Sequence, residues 1–314
     1  MSIFLLRLSV FLILFTSILW GVERLVTYEL TTSNEVYFDN WNELKLLKKK
    51  PDVLIIGNSR AWIHYNTDIL DSLLENETYN LGMDGMTSIQ QEYRYKYYCQ
   101  FNSKPKLIIF NVDDETYYNR KEILQPQQYF PYLDDSLISS QCIRMGLFPM
   151  RVYFPPVRYF EADICFEAMW RCMTNTPCDE SLRKRKGFLG FDRPWNEATY
   201  KQIISKNLIA KFDPSLMKRH ELFLQSLRNE GIELLLVFAP QFVDYTKHIA
   251  HHSTILLYYQ NLAKRLGAGF WDYSQSDYSK SKNNFFEQHH MNLSASNRYS
   301  IEIGKRIKES QILN

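Results

Sequence analysis

Pro51-Asp52-Val53-Leu54-Ile55-Ile56-Gly57-Asn58-Ser59-Arg60 decides how this chain is read. Val53 to Ile56 is a short continuous apolar run, the pattern of a strand covered on both faces. Gly57 supplies conformational freedom for a sharp turn, and Ala61 to Leu74 then has helical spacing. A serine at such a turn stands at the carboxyl end of a parallel strand, where α/β sheets place their ligands. Its hydroxyl points outward, and neighbouring backbone N–H groups can serve a developing oxyanion. The same ten residues also fit a purely structural strand and turn.

A second segment, Phe285-Phe-Glu-Gln-His-His-Met-Asn-Leu-Ser294, lies near the C-terminus. Glu287 precedes His290 by three residues. A carboxylate at that spacing in a loop can hydrogen-bond the imidazole, fix its tautomer and stabilise the imidazolium. The histidine is then a base for a serine hydroxyl brought close by the fold. Asn292 or Ser294 is expected to cap the helix that follows. The His289-His290 pair also fits a surface loop or an adventitious metal site.

Together the two segments resemble the SGNH, or GDSL-like, hydrolase family. The matching residues are Gly57-Asn58-Ser59-Arg60 and Glu287-Gln288-His289-His290-Met291-Asn292, and Asn80-Leu-Gly-Met-Asp-Gly-Met-Thr87 matches the family's glycine loop after the second strand. The resemblance implies Ser59 as nucleophile, His290 as base and Glu287 in the acid position usually held by aspartate. It implies that the N–H groups of Ser59 and Gly85 line the oxyanion hole. The order serine, glycine loop, acid and histidine is also the family's order along the chain.

Two departures stand out. The family's first block usually reads Gly-Asp-Ser-Leu, whereas this chain has Asn58 and Arg60. A Gly-x-Ser-Arg version resembles membrane-anchored relatives that handle acyl groups on bacterial polysaccharides. The third block, normally Gly-x-Asn-Asp, falls in Leu107-Ile-Ile-Phe-Asn-Val-Asp-Asp-Glu115. Alignment puts Asp113 where the oxyanion-hole asparagine belongs, with Asn111 two residues early. An ionised carboxylate there repels a developing oxyanion unless it is protonated or turned away, so either Asn111 takes the role or one donor is missing.

The chain has 314 residues, 45% of them apolar and 23% charged, with formal net charge +2. That charge is too small to argue for nucleic acid as a partner. From Ile3 to Val22 the sequence is almost entirely apolar with Arg7 its one charge, about the ~20 residues needed to cross a bilayer. A cleavable signal peptide is the rival reading, but Trp20-Gly-Val-Glu-Arg24 offers no clear pair of small residues for cleavage. An uncleaved signal anchor at residues 1–30 is therefore expected. Arg7 and Arg24 nearly balance, so charge does not fix orientation. Of the five cysteines, Cys142, Cys165, Cys172 and Cys178 cluster without zinc spacing; they fit two disulfides in an oxidising compartment or ordinary buried thiols. With the anchor, the expected location is the cytoplasmic membrane, single-pass, with the catalytic domain outside.

Residues 31–50 read as a polar linker, and 51–314 as the catalytic domain. Strands are expected at 53–56, 78–81, 107–112, 232–239 and 269–271. Helices are expected near 61–75, 89–100, 214–229, 253–265 and 294–308. This alternation predicts a three-layer α/β/α, flavodoxin-like domain with a roughly five-stranded parallel sheet, beside the N-terminal transmembrane helix. Between about 115 and 212 the rhythm breaks into an irregular insertion rich in aromatics and Arg. Such an insertion commonly shapes a binding site. Its aromatics could stack on sugars or pack on the core, and its basic run at Arg183 to Lys186 could attract an anionic polymer or form a solvated face.

The expected function is a serine esterase or O-acyltransferase, with acetyl the expected group, acting on an extracytoplasmic polysaccharide or another glycan or acylated small molecule. No cofactor or metal is expected, and a membrane acyl-donor partner is compatible with transfer. The alternative is an inactive SGNH-like component that binds or assembles in polysaccharide modification or export. A metal hydrolase built on His289 and His290 is a third reading.

Overall fold

The computed structural model describes residues 2–47, 50–120, 122–176 and 183–313, and the side chains of Ser2 and of 183–185 fall outside that description. Cys178 and most of the basic run at 183–186 therefore lie outside the described side chains.

Five strands form one parallel sheet among the described residues: β1 Val53–Ile56, β2 Thr78–Asn80, β3 Leu107–Asn111, β4 Glu233–Phe238 and β5 Gly269–Asp272. Their order is β2-β1-β3-β4-β5, the flavodoxin-like doubly wound order. The three central strands read as unbroken hydrophobic runs because both faces are covered. Val53 pairs with Thr78 on one side and Leu107 on the other, and Leu107 pairs with Glu233. The carboxyl ends of β1, β3 and β4 thus finish at one edge.

In chain order the principal helices are α1 Ser2–Thr32, α2 Val36–Leu46, α3 Ser59–His64, α4 Thr67–Leu74, α5 Ser88–Tyr98, α6 Asp163–Met173, α7 Pro214–Asn229, α8 His252–Leu266 and α9 Leu293–Ser310. α9 packs on α3 and α4, while α5, α7 and α8 form a second group. Two compact units emerge, one of residues 47–119 and 180–314 that holds the sheet, the other of residues 1–46 and 120–179.

The single helix expected from about 61 to 75 is two helices. It starts earlier, at Ser59, and breaks after His64. Asn66 caps α4 by accepting the Asp68 N–H at 3.1 Å, and the Ser300 hydroxyl of α9 accepts the Asn66 N–H at 2.7 Å. A local side-chain acceptor and a long-range one override the apolar spacing. At the far end Asn292 is the cap of α9, its Oδ1 taking the Ala295 N–H at 3.0 Å. Gly267 closes α8 in the left-handed conformation.

The other unit has its own core. Within the stretch expected to be a polar linker, α2 buries Phe38, Trp41 and Leu44. The Trp41 ring lies 5.3 Å from that of Tyr129 and 5.8 Å from that of Tyr132. Arg158, fully buried, meets Glu23 of α1 at 2.8 Å and Asp134 at 2.6 Å. The expected insertion is not one piece. Residues 120–176 belong with α1 and α2, whereas the hairpin Arg183–Arg185 with Phe188–Gly190 belongs to the sheet unit. The four described cysteines, Cys99, Cys142, Cys165 and Cys172, are free thiols. Burial pushes the Cys142 and Cys165 thiols up to about 12, which makes them poor nucleophiles.

α1 is long and apolar enough to cross a membrane. Ile3, Phe4, Phe11, Ile13 and Ile18 are exposed along it, the distribution of a helix whose surface needs an apolar surround.

Candidate active site

Ser59 opens α3 directly after β1. The turn needs glycine at 57 because of space: a Cβ there would lie 2.6 Å from the Ala61 Cβ and 2.9 Å from the Asn111 Cβ. The expected role of conformational freedom is thus replaced by close approach. Asn58 caps α3, its Oδ1 accepting the Arg60 N–H at 3.0 Å. The Ser59 N–H falls in the first turn, where a helix leaves N–H groups without intrahelical acceptors.

Glu287 and His290 are not in an open loop. Phe285–Glu287 and His290–Met291 form a two-stranded antiparallel hairpin in which Glu287 and His290 are directly opposed. The three-residue spacing is that of a two-residue turn, which brings the opposed side chains together. Glu287 Oε1 lies 2.5 Å from His290 Nδ1, and His290 Nε2 lies 2.7 Å from Ser59 Oγ. Residues 231 positions apart are thereby joined in one relay from carboxylate to imidazole to hydroxyl. Burial raises the Glu287 carboxyl, but the His290 hydrogen bond, the His290 charge and Arg193 outweigh it and hold the group below its ordinary range. An ionised Glu287 fixes the proton on Nδ1 and leaves the Nε2 lone pair facing Ser59.

The imidazole is clamped from several directions. The Phe286 ring stacks on it at 5.6 Å, and the His289 ring meets it edge-on at 4.1 Å. His64, the last residue of α3, accepts the Met291 N–H through Nε2 at 3.1 Å. Burial, followed by the Arg60 and His290 charges, pushes His64 well below its ordinary pKa, so it stays neutral and can accept. His64 carries no functional signal in the sequence. Nothing in local spacing distinguishes it, since its partner comes from the distant hairpin.

The glycine loop follows β2, the neighbour of β1. Asn80 ties it to α3, donating to the Ala61 carbonyl at 2.7 Å and accepting the Gly82 N–H at 2.8 Å. The Arg94 guanidinium holds the Leu81 carbonyl at 2.8 Å, and the Gln91 amide holds that of Met86 at 3.2 Å. At the loop's turn Gly85 has φ of 60°, a conformation that favours glycine. The backbone carrying the expected second oxyanion donor is therefore fixed before any ligand arrives.

The third block is buried and tied into the turn that carries Ser59. Asn111 is buried, its Oδ1 taking the Tyr65 hydroxyl at 3.1 Å while Nδ2 finds no protein partner. Asp113 accepts the Asn58 side-chain amide and the Glu115 N–H, the latter at 2.8 Å. Asn58 and Asp113 are two of the positions at which this chain departs from the family blocks, beside Arg60 and Glu287, and they touch. Where the family reads aspartate and then asparagine, this chain reads asparagine and then aspartate. Burial raises the Asp113 carboxyl, opposed by the nearby Arg60 charge, the Glu115 N–H and Asn58. Arg60 itself is buried, with its guanidinium 4.6 Å over the Phe238 ring and hydrogen-bonded to the Ala239 carbonyl at the end of β4.

Glu287, His289 and His290 each offer one potential ligand atom within 4.8 Å of the others. The Glu287 and His290 atoms already bind each other, and His289 Nδ1 lies 3.0 Å from the Gln288 amide. A metal here would break the relay rather than complete a site.

No family model matches the chain, and no curated protein matches it. Among solved structures it is similar to one from Desulfitobacterium hafniense described as a lipolytic protein of the G-D-S-L family, at 9% identity over 81% of this chain and 97% of that chain, with TM-score 0.42. A Bacteroides fragilis structure described as an acylhydrolase shares 12% identity over 86% of this chain and 94% of that one, with TM-score 0.40. A family two carbohydrate esterase from Clostridium thermocellum, in complex with cellohexaose, shares 10% identity over 85% and 66% respectively, with TM-score 0.38. At such TM-scores these likenesses carry no argument for activity or substrate.

Proposed function

We propose that the chain is a membrane-anchored serine esterase or O-acyltransferase. The observation that carries this reading is the relay Glu287–His290–Ser59, with both hydrogen bonds formed and the serine at the carboxyl edge of a parallel sheet. Ser59 Oγ attacks an ester carbonyl while His290 Nε2 takes its proton, and Glu287 stabilises the imidazolium. The Ser59 and Gly85 N–H groups receive the oxyanion. Collapse of the tetrahedral intermediate expels the alcohol, which takes the proton from His290, and leaves an acyl-serine. Water as second acceptor gives hydrolysis, and a sugar hydroxyl gives transfer. An extracytoplasmic glycan bearing acetyl esters is the substrate class the Gly-x-Ser-Arg resemblance supports, and α1 supports attachment to a membrane.

The test is serine-directed labelling by a fluorophosphonate together with aryl-acetate hydrolysis, in wild type and Ser59→Ala. Labelling and turnover that vanish in the variant support the reading. Equal signals in both overturn it and favour the second reading, an inactive relative that binds or assembles. The second reading draws on Asp113, a carboxylate at the position where the family has a donor.

A further inference from the structure

The unit that contains α1 has a surface unlike that of a water-soluble domain. α6 buries Cys165 and Ala168, yet on its opposite side Phe166, Trp170 and Met173, at spacings of four and three, are exposed. A helix in water carries charge on that face. Phe148, Met150, Tyr153 and Phe160 of the same unit are exposed as well, Tyr153 at 74% and Trp170 at 64%. A cleft of about 490 Å³ is lined by Phe148, Val157, Tyr159, Phe160 and Phe166, with Arg151 and Glu161 as its charged members. Arg151 is committed to the carbonyls of Arg158 and Phe160 at 2.6 and 2.7 Å, so it does not offer its charge to a sugar or an anion. Isolated exposed apolar side chains are ordinary, but a group of this size marks an interaction surface.

α1 indicates what covers it. Residues 3–22 of an α-helix rise about 30 Å, the thickness of a bilayer's hydrocarbon core. The next residue, Glu23, is buried against Arg158, and Val26 and Leu30 are also buried. α1 packs there on α6 and on Pro155–Val157. The Thr27 hydroxyl lies 2.7 Å from that of Tyr159. The helix therefore enters this unit at the point where a spanning segment leaves the hydrocarbon. Arg24 lies 5.7 Å over the Trp20 ring at that level, a pairing suited to the headgroup layer.

We propose that the aromatic surface formed by Phe148, Tyr153, Phe160, Phe166 and Trp170 seats in the interfacial layer of the bilayer that α1 crosses. The insertion then works as a collar at the foot of the anchor rather than as a sugar platform. Aromatic rings suit that layer because each has a broad apolar body, and Tyr and Trp add a polar tip. A face of this kind is stabilised by a lipid boundary without spanning it.

Full-length protein carrying the photo-crosslinker p-benzoylphenylalanine at 153, 160 or 170 is reconstituted into vesicles of phosphatidylethanolamine and phosphatidylglycerol and irradiated. Position 15, in the middle of α1, reports whether the helix is in lipid. Phospholipid adducts at 153, 160 and 170, alongside one at 15, support the proposal. An adduct at 15 with none at the three collar positions overturns it, as do adducts at those positions to a second copy of the chain instead of lipid. Absence of an adduct at 15 also overturns it, because the bilayer assigned to α1 is then not there. Loss of Ser59 labelling is not read in this experiment, so its outcome is independent of the esterase reading.

Discussion

Asn58 donates its side-chain amide to the carboxylate of Asp113, so two of the residues that depart from the family's blocks form one contact. The exchange keeps one donor and one acceptor at the base of the serine turn and reverses which residue supplies each. Asn58→Asp alone should place a second carboxylate against the buried Asp113, forcing one of the two to protonate, and lower turnover on the order of 100-fold. Asp113→Asn added to it should recover most of that loss. A double-mutant cycle on kcat and on unfolding free energy checks this, and additive effects would sink the paired interpretation.

Glu287→Gln keeps the hairpin but removes the charge that orients His290. In serine hydrolases the carboxylate-to-amide change costs up to about 10⁴-fold in kcat, and about 10³-fold is expected here because His290 is also clamped by Phe286 and His289. KM should hardly move. Steady-state kinetics on an aryl acetate decide it.

Acid should destabilise the sheet unit through buried histidines. Burial holds His220 at about 4 in the folded protein against an ordinary 6.5, with its Nδ1 3.0 Å from the Tyr117 hydroxyl. The unfolded chain therefore binds an extra proton between those values. Stability falls as pH is lowered, by about 2 kcal/mol from about pH 7 to about pH 5 for this residue. His64 and His289, also pushed down by burial, act in the same direction. Urea titrations across that range should show the slope shrinking in His220→Gln.

Gly57→Ala inserts a methyl group into the gap between α3 and Asn111. Overpacking of this kind costs about 1–3 kcal/mol. Because the displaced element carries Ser59, fluorophosphonate labelling should drop more steeply than thermal stability does. Equal losses would mean that the turn merely holds the fold.

In the unit that contains α1, Arg158→Ala strands Glu23 without its buried partner. Removing one member of a buried pair costs about 3–5 kcal/mol. Thermal unfolding in detergent should show the loss, and Glu23→Gln combined with Arg158→Met should recover part of it.

The sheet was legible because its three central strands are nearly unbroken apolar runs. Val53–Ile56, Leu107–Asn111 and Glu233–Phe238 each stand out without reference to the rest of the chain, and the order of runs and helices gave the doubly wound class. Ser59, His290 and Glu287 were legible through chain order and the three-residue spacing, though the spacing reports a hairpin rather than a loop. What was not legible depends on distant partners. The break after His64 is set by Ser300, and the role of Asn58 by Asp113. α2 looked like a linker because its polar residues hide Phe38, Trp41 and Leu44, which are buried in a core assembled from residues almost a hundred positions later.

The 231-residue separation of Ser59 from His290 also sets a timetable. As the chain is synthesised, β1 and the serine emerge early, and the histidine hairpin emerges only after β5. Until that hairpin returns to α3 and the Met291 N–H reaches His64, the serine has no base. On the esterase reading proposed above, a growing chain would be inert toward esters, and Ser59 would be armed only when the hairpin and α9 have folded onto α3.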